Sequence, residues 1–152
     1  MSKPWQGAAR RLTDADFTIA ARDLGADLAA IRAVWDVESA GRPFRADGSL
    51  ERRYEPHHFP GSGITDWRES LKLPQVRREA MFGTAYGRNA EAAMRATSWG
   101  GPQIMGFNHA ACGFSSARAM VAAMAEGEQA QLAAFIGFLR SKGLVGALQR
   151  HD

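Results

Sequence analysis

The chain has 152 residues, 45% of them hydrophobic and 23% charged, and a net charge of +3 from 19 Lys and Arg against 16 Asp and Glu. That balance belongs to a single globular domain and excludes disordered, collagen-like and coiled-coil chains. Sixteen of the basic residues are arginines spread along the chain, so no nucleic-acid partner is expected, and no apolar run nears the roughly 18 residues of a membrane span.

Residues 1–12 read as a short arm. Trp5 either anchors it or belongs to a frayed terminus. Thr13 is placed as an N-cap, with Asp14 and Asp16 in the first turn, and Gly25 ends that helix. A second helix begins after Asp27. Leu28, Ile31, Val34 and Trp35 recur at spacings of three and four and form one apolar face. Glu38 continues that face in the last turn, and Gly41 and Pro43 stop the helix.

Asp47-Gly48 signals a hairpin turn, and the alternation from Leu50 to Tyr54 predicts a strand. Residues 60–66 read as a loop. A helix is predicted over 66–73, interrupted by Pro74, and another over 89–97. Pro102 is suited to the first position of a helix carrying Gln103, Ile104 and Met105 as far as Gly113. Ser115 or Ser116 caps a helix with Met120, Val121 and Met124. Leu132, Phe135, Ile136 and Leu139 form the stripe of the next, stopped by Gly143, and Leu144 to Gln149 forms a last short helix. The sum is a mainly α (α+β) domain with one small β-hairpin.

Three clusters carry chemistry. Glu38 lies on an apolar face beside Trp35 and Val34. Desolvation there is expected to raise its pKa and keep it protonated, as a general acid for glycosidic cleavage must be. The alternative is a helix-end ion pair with Arg42. Tyr54-Glu55-Pro56-His57-His58-Phe59 places a carboxylate beside two imidazoles. It reads as a cleft carboxylate, a surface ion pair or, without a spaced partner, poorly as a metal site. Ser98-Trp99-Gly100-Gly101-Pro102-Gln103-Ile104-Met105-Gly106-Phe107-Asn108 combines glycines for close backbone approach, a flat indole suited to a sugar ring, and amides from Gln103 and Asn108. A tight helix–helix corner is the alternative. The single cysteine, Cys112, allows no intrachain disulfide and reads as a packed thiol. The N-terminal residues show no apolar signal core, which predicts synthesis in the cytoplasm without a signal peptide.

In this order the three clusters resemble the phage-endolysin-type N-acetylmuramidase family. More distantly they resemble goose-type lysozymes and lytic transglycosylases. The resemblance covers about residues 5–152 and is carried by Val37-Glu38-Ser39-Ala40-Gly41, by the Glu55-to-Phe59 run and by Gln103-Ile104-Met105-Gly106-Phe107-Asn108-His109. It implies a lysozyme-like fold with a sugar-binding cleft, a peptidoglycan glycan strand as partner, a monomer, and no cofactor or metal. Glu38 is then the catalytic acid that cleaves the β-1,4 bond between N-acetylmuramic acid and N-acetylglucosamine. Glu55 matches the second acidic position, as base, stabiliser or anchor. Tyr54, His57, Ser98, Trp99, Gln103, Met105 and Asn108 fall at substrate-binding positions.

A lytic transglycosylase of the same fold, or a truncated glycan-binding protein, is the rival reading. Family members usually carry a larger residue at Gly101-Pro102, a longer stretch before Ser98 and a Tyr-Asn-Gly segment after the last helix. This sequence stops at His151-Asp152, so the domain is expected to be shortened at its C-terminus and the cleft to lack one wall. Delivery to the wall is expected after release, or within a phage-like particle.

Overall fold

The computed structural model describes residues 2–39 and 42–149. Gly41, the expected stop of the second helix, and His151-Asp152 lie outside the described residues. Helix α1 spans Asp14–Leu24. Thr13 and Asp16 satisfy each other's backbone N–H groups in a capping box, and Gly25 closes the helix at φ 63°. Helix α2 spans Leu28–Ser39, with Asp27 Oδ1 accepting from Ala29 N at 2.7 Å. Its buried stripe is Ile31, Trp35 and Ser39.

The Asp47-Gly48 turn forms as expected, with Arg45 N donating to Ser49 O at 2.8 Å, but it closes on a single bridge between Phe44 and Leu50. The strand β1, Arg52–Tyr54, finds its partner far along the chain instead. It pairs antiparallel with β2, Thr97–Trp99, which pairs in turn with β3, Ile104–Met105. The small sheet is therefore three-stranded, and its hairpin is the 97–105 segment. The helix expected from Pro102 does not form. Gln103 stands at φ 53° and Gly100 at φ 73°, and two left-handed residues in one turn reverse the chain where a helix would continue it.

Helix α3, Trp67–Leu71, is capped by Asp66 and falls within the expected range. Helix α4, Gln75–Arg88, is absent from the sequence reading. Pro74 starts this helix rather than interrupting one, with φ −63° at the N-cap. Its buried face is Arg78, Phe82 and Ala85, so an arginine breaks the apolar periodicity that would have revealed it. Helix α5, Ala90–Arg95, is capped by Asn89.

Helix α6, Ala117–Glu126, is capped by Ser116, and α7 spans Glu128–Ser141. The last helix, α8, Val145–Gln149, is tied to the end of α1 by Gln149 Nε2 donating to Leu24 O at 2.7 Å. The fold is mainly helical with one small antiparallel sheet. Among the described residues no helix is long and apolar enough to cross a membrane.

The core forms where the sheet's inner face meets α4, α5 and α6. Trp99, Met94, Met120, Val121 and Met124 have no exposed surface there. Trp5 anchors the N-terminal arm. It stacks on Trp99 at 6.0 Å between ring centroids and meets Phe82 and Tyr86 edge-on at 5.1 Å each. Cys112 is a half-buried thiol whose pKa burial pushes up to about 11, as suits a packed rather than a reactive cysteine.

Two joints of the fold are open to measurement. A Cβ on Gly106 would stand inside contact distance of the Met94 carbonyl, which α5 holds in place. Gly106→Ala is therefore expected to lose about 3 kcal/mol in chemical denaturation. Glu79, on α4, accepts from Arg45 Nη2 at 2.7 Å and from Arg52 Nη2 at 3.2 Å. Burial raises its pKa, but the hydrogen bonds and charges of the two arginines outweigh burial and hold it below 4.5. Its folded pKa is thus lower than its unfolded one. The stabilisation is present above the unfolded value and is lost as pH falls through the folded value. Glu79→Gln is expected to lose about 2 kcal/mol at neutral pH, and thermal melts should show that gap closing below about pH 4.5.

Candidate active site

Register divides the sheet into two faces. Arg52, Tyr54, Thr97, Trp99 and Ile104 share the inner face, while Arg53, Ser98 and Met105 share the outer one. Trp99 is consequently fully buried, with its indole N–H donating to Met94 O at 2.9 Å, and it has no face to offer a sugar. Tyr54 is 1% exposed for the same reason. Ser98 stays on the outer side and donates to Gln103 Oε1 at 2.8 Å.

The outer side opens into a cleft of about 500 Å³. Glu38 and Ser39, from the end of α2, form one wall. Gly100, Gly101 and Gln103, from the β2–β3 turn, form another, and Glu51 and Arg53 come from the strand side. Glu38 is exposed at this rim. The desolvation expected for it is not present, because the buried stripe of α2 passes through Trp35 and Ser39 and leaves Glu38 beside it rather than within it.

Buried polar contacts hold the turn that faces Glu38. Gln131, on α7, has no exposed surface. Its Oε1 accepts from Gly101 N at 2.9 Å and its Nε2 donates to Met124 O at 3.2 Å. Gln103 Nε2 donates to Gly100 O at 2.8 Å and closes the turn on itself. A Cβ on Gly101 would lie 2.7 Å from the Cβ of Ser39, so only glycine lets the turn approach the end of α2 this closely.

Glu55 is differently placed. Its Oε2 accepts from Ser70 Oγ at 3.1 Å and lies 3.7 Å from Arg78 Nη1, while its Oε1 lies 3.2 Å from Arg53 Nε. It is not one of the residues lining the cleft, although Arg53 is. The His57 ring packs on His58 at 4.1 Å, with its Nδ1 3.9 Å from Glu55. Burial lowers the His58 pKa, with His57 adding to the effect and Glu55 opposing it. Tyr54, His57, Trp99, Met105 and Asn108 are not among the cleft-lining residues. Met105 is on the outer face and half-buried, and Asn108 sits in the 3-10 turn Gly106–Asn108 that packs on α5 and α6. Among the described residues no group of three or more His, Cys, Asp or Glu could hold a metal ion.

The cleft thus unites Glu38 with Gln103, with Ser98 behind it. Sequence reasoning missed Glu51, Arg53 and Gln131. The alternation that marked β1 already placed Glu51 and Arg53 opposite Tyr54. Gln131 stood four residues before Phe135 on an apolar stripe, where a polar residue needs an internal partner.

Comparison with known proteins follows the same outline. The model of the family described as Muramidase, N-acetylmuramidase, matches residues 27–152. The chain is similar to the crystal structure of a Burkholderia AP3 phage endolysin, with 35% identity and a TM-score of 0.76. The match covers 93% of this chain and 60% of the endolysin chain. A comparison with curated proteins finds no match. The likeness extends from the lysozyme-like arrangement of helices and sheet to most of the sequence, and the chain belongs to the N-acetylmuramidase family.

Proposed function

We propose that the chain is a peptidoglycan hydrolase acting on the cell wall. It cleaves the β-1,4 bond between N-acetylmuramic acid and N-acetylglucosamine, with Glu38 as the general acid. The observation that carries this reading is the position of Glu38, exposed at the end of α2 on the rim of the cleft and facing the backbone turn at Gly100–Gly101. A glycosidic oxygen is a poor leaving group until it is protonated, and a carboxyl at the cleft edge can deliver that proton. Gly100 and Gly101 form the opposite wall, and the turn that carries them is packed against Gln131 and Ser39. Arg42, Arg45, Arg52 and Arg53 outnumber the carboxylates Glu38 and Glu51 in the cleft, a balance that favours an acidic glycan.

The attacking water requires a second polar group. Glu51 lines the cleft itself, with Oε1 accepting from Arg45 Nε at 3.2 Å. Glu55 lies behind Arg53 and also supplies the counter-charge to the buried Arg78. These positions support a catalytic role for Glu51 and an anchoring role for Glu55.

Turbidity loss of a peptidoglycan suspension tests the acid. Glu38→Gln is expected to fall about a hundredfold or more at an unchanged melting temperature, and equal activity in both proteins would overturn the assignment. Mass spectrometry of the released fragments should find reducing ends rather than 1,6-anhydro sugars.

The two remaining carboxylates should part company in the same assays. Glu55→Gln leaves Arg78 without a counter-charge and is expected to lose about 3 kcal/mol of stability. Glu51→Gln is expected to lower activity with a change in melting temperature of under about 3 °C.

A further inference from the structure

On the opposite side of the sheet lies a second cavity, of about 360 Å³, which shares no lining residue with the cleft. One wall is a stripe of α4 that runs from Arg77 through Met81 and Thr84 to Arg88. The other is Tyr54 with the 59–62 segment. Among the described residues no carboxylate lines it. Arg77 and Arg88 are both exposed, and neither has an ion pair or side-chain hydrogen bond among the described residues.

Tyr54 is 1% exposed, and its hydroxyl likewise has no hydrogen-bond partner among the described residues. Burial pushes this phenol up to about 12, opposed by the charge of Arg88. Tyr54 and Arg88 both line this cavity. The Arg88 guanidinium also passes 3.9 Å from where a Cβ on Gly61 would be, which places it over the cavity rim.

We propose that this cavity binds a short acidic peptide, with a carboxylate at each end held by Arg77 and Arg88. The eleven-step separation of the two arginines corresponds to roughly 16 Å along the helix. A single small anion cannot engage both, whereas an extended ligand with separated carboxylates can. Met81 and Phe59 offer apolar surface to small side chains between the charges, and the Tyr54 and Thr84 hydroxyls face the backbone of the ligand. Guanidinium groups without internal partners are free to grip carboxylates in bidentate fashion. The identity of the peptide rests on the proposed hydrolase function, because the glycan of the wall carries short peptides of small apolar and acidic residues. The binding chemistry itself does not rest on it.

Isothermal titration with a synthetic alanine- and glutamate-containing tetrapeptide tests this, beside the same peptide with every carboxylate amidated. The free acid is expected to bind and the amide not to. The R77Q/R88Q double variant should weaken binding about tenfold or more at an unchanged melting temperature, since both side chains are exposed and unpaired. Tyr54→Phe should weaken it less. The inference is overturned if the acid does not bind, if the amide binds as well, or if the double variant keeps the parent affinity.

Glu38→Gln should keep full peptide affinity. Loss of glycan cleavage in Glu38→Gln, with no peptide bound by the parent protein, would sink this inference and leave the hydrolase reading standing. Peptide binding by a protein that cleaves no glycan would do the reverse.

Discussion

Arg78 is 2% exposed, and its guanidinium lies where β1, α3 and α4 meet. It donates to Tyr54 O at 2.7 Å and to Ser70 O at 2.6 Å, and it faces Glu55 at 3.7 Å. Burial lowers its pKa and the nearby Arg53 adds to that, while Glu55 raises it. A buried cation of this kind is tolerable only when its donors are satisfied and its charge is answered. Here two backbone carbonyls and one carboxylate do both. The end of the strand, the start of the long helix and the short helix before it are fixed together by one side chain, and the orientation of α4 follows. That orientation decides which face of α4 closes the core on Tyr54 and Trp5, and which face is left to line the second cavity.

The cleft relies on a comparable but uncharged device. Gln131 holds the β2–β3 turn against α7, and the bare backbone of Gly101 lets the same turn meet the end of α2. Glu38 is carried to the cleft edge by a helix whose apolar stripe binds it to the core, yet Glu38 itself is not in that stripe. The Glu38 carboxyl stands exposed at the cleft rim. The free protein then does not hold a buried, uncompensated carboxyl, which would cost stability.

The second acidic position illustrates how one residue type is put to two uses. Glu55 answers the charge of Arg78 and touches the cleft through Arg53. Glu51, four residues earlier on the same alternation, reaches the cleft directly. A strand of three residues thus feeds both sides of the sheet. Glu51, Arg52 and Arg53 line the first cleft, and Tyr54 lines the second cavity.

The sequence by itself determined the helices whose signals are local. The capping box of Thr13 and Asp16, the left-handed Gly25, and the stripes of α2, α6 and α7 all act within a few residues and survive in any context. It also determined the family, since the runs around Glu38, Glu55 and Gln103 are contiguous. Only the tertiary structure decided the rest.

Helix α4 was hidden because its buried face contains Arg78, whose burial depends on Glu55 and on carbonyls from other elements. The β2–β3 hairpin was hidden because a strand of two or three residues carries almost no periodicity and is defined by β1, some 45 residues away in sequence. The expected exposure of Trp99 and the expected desolvation of Glu38 both fail for one shared reason. Spacing says that a residue belongs to a face, and only packing says whether that face, or its edge, is covered.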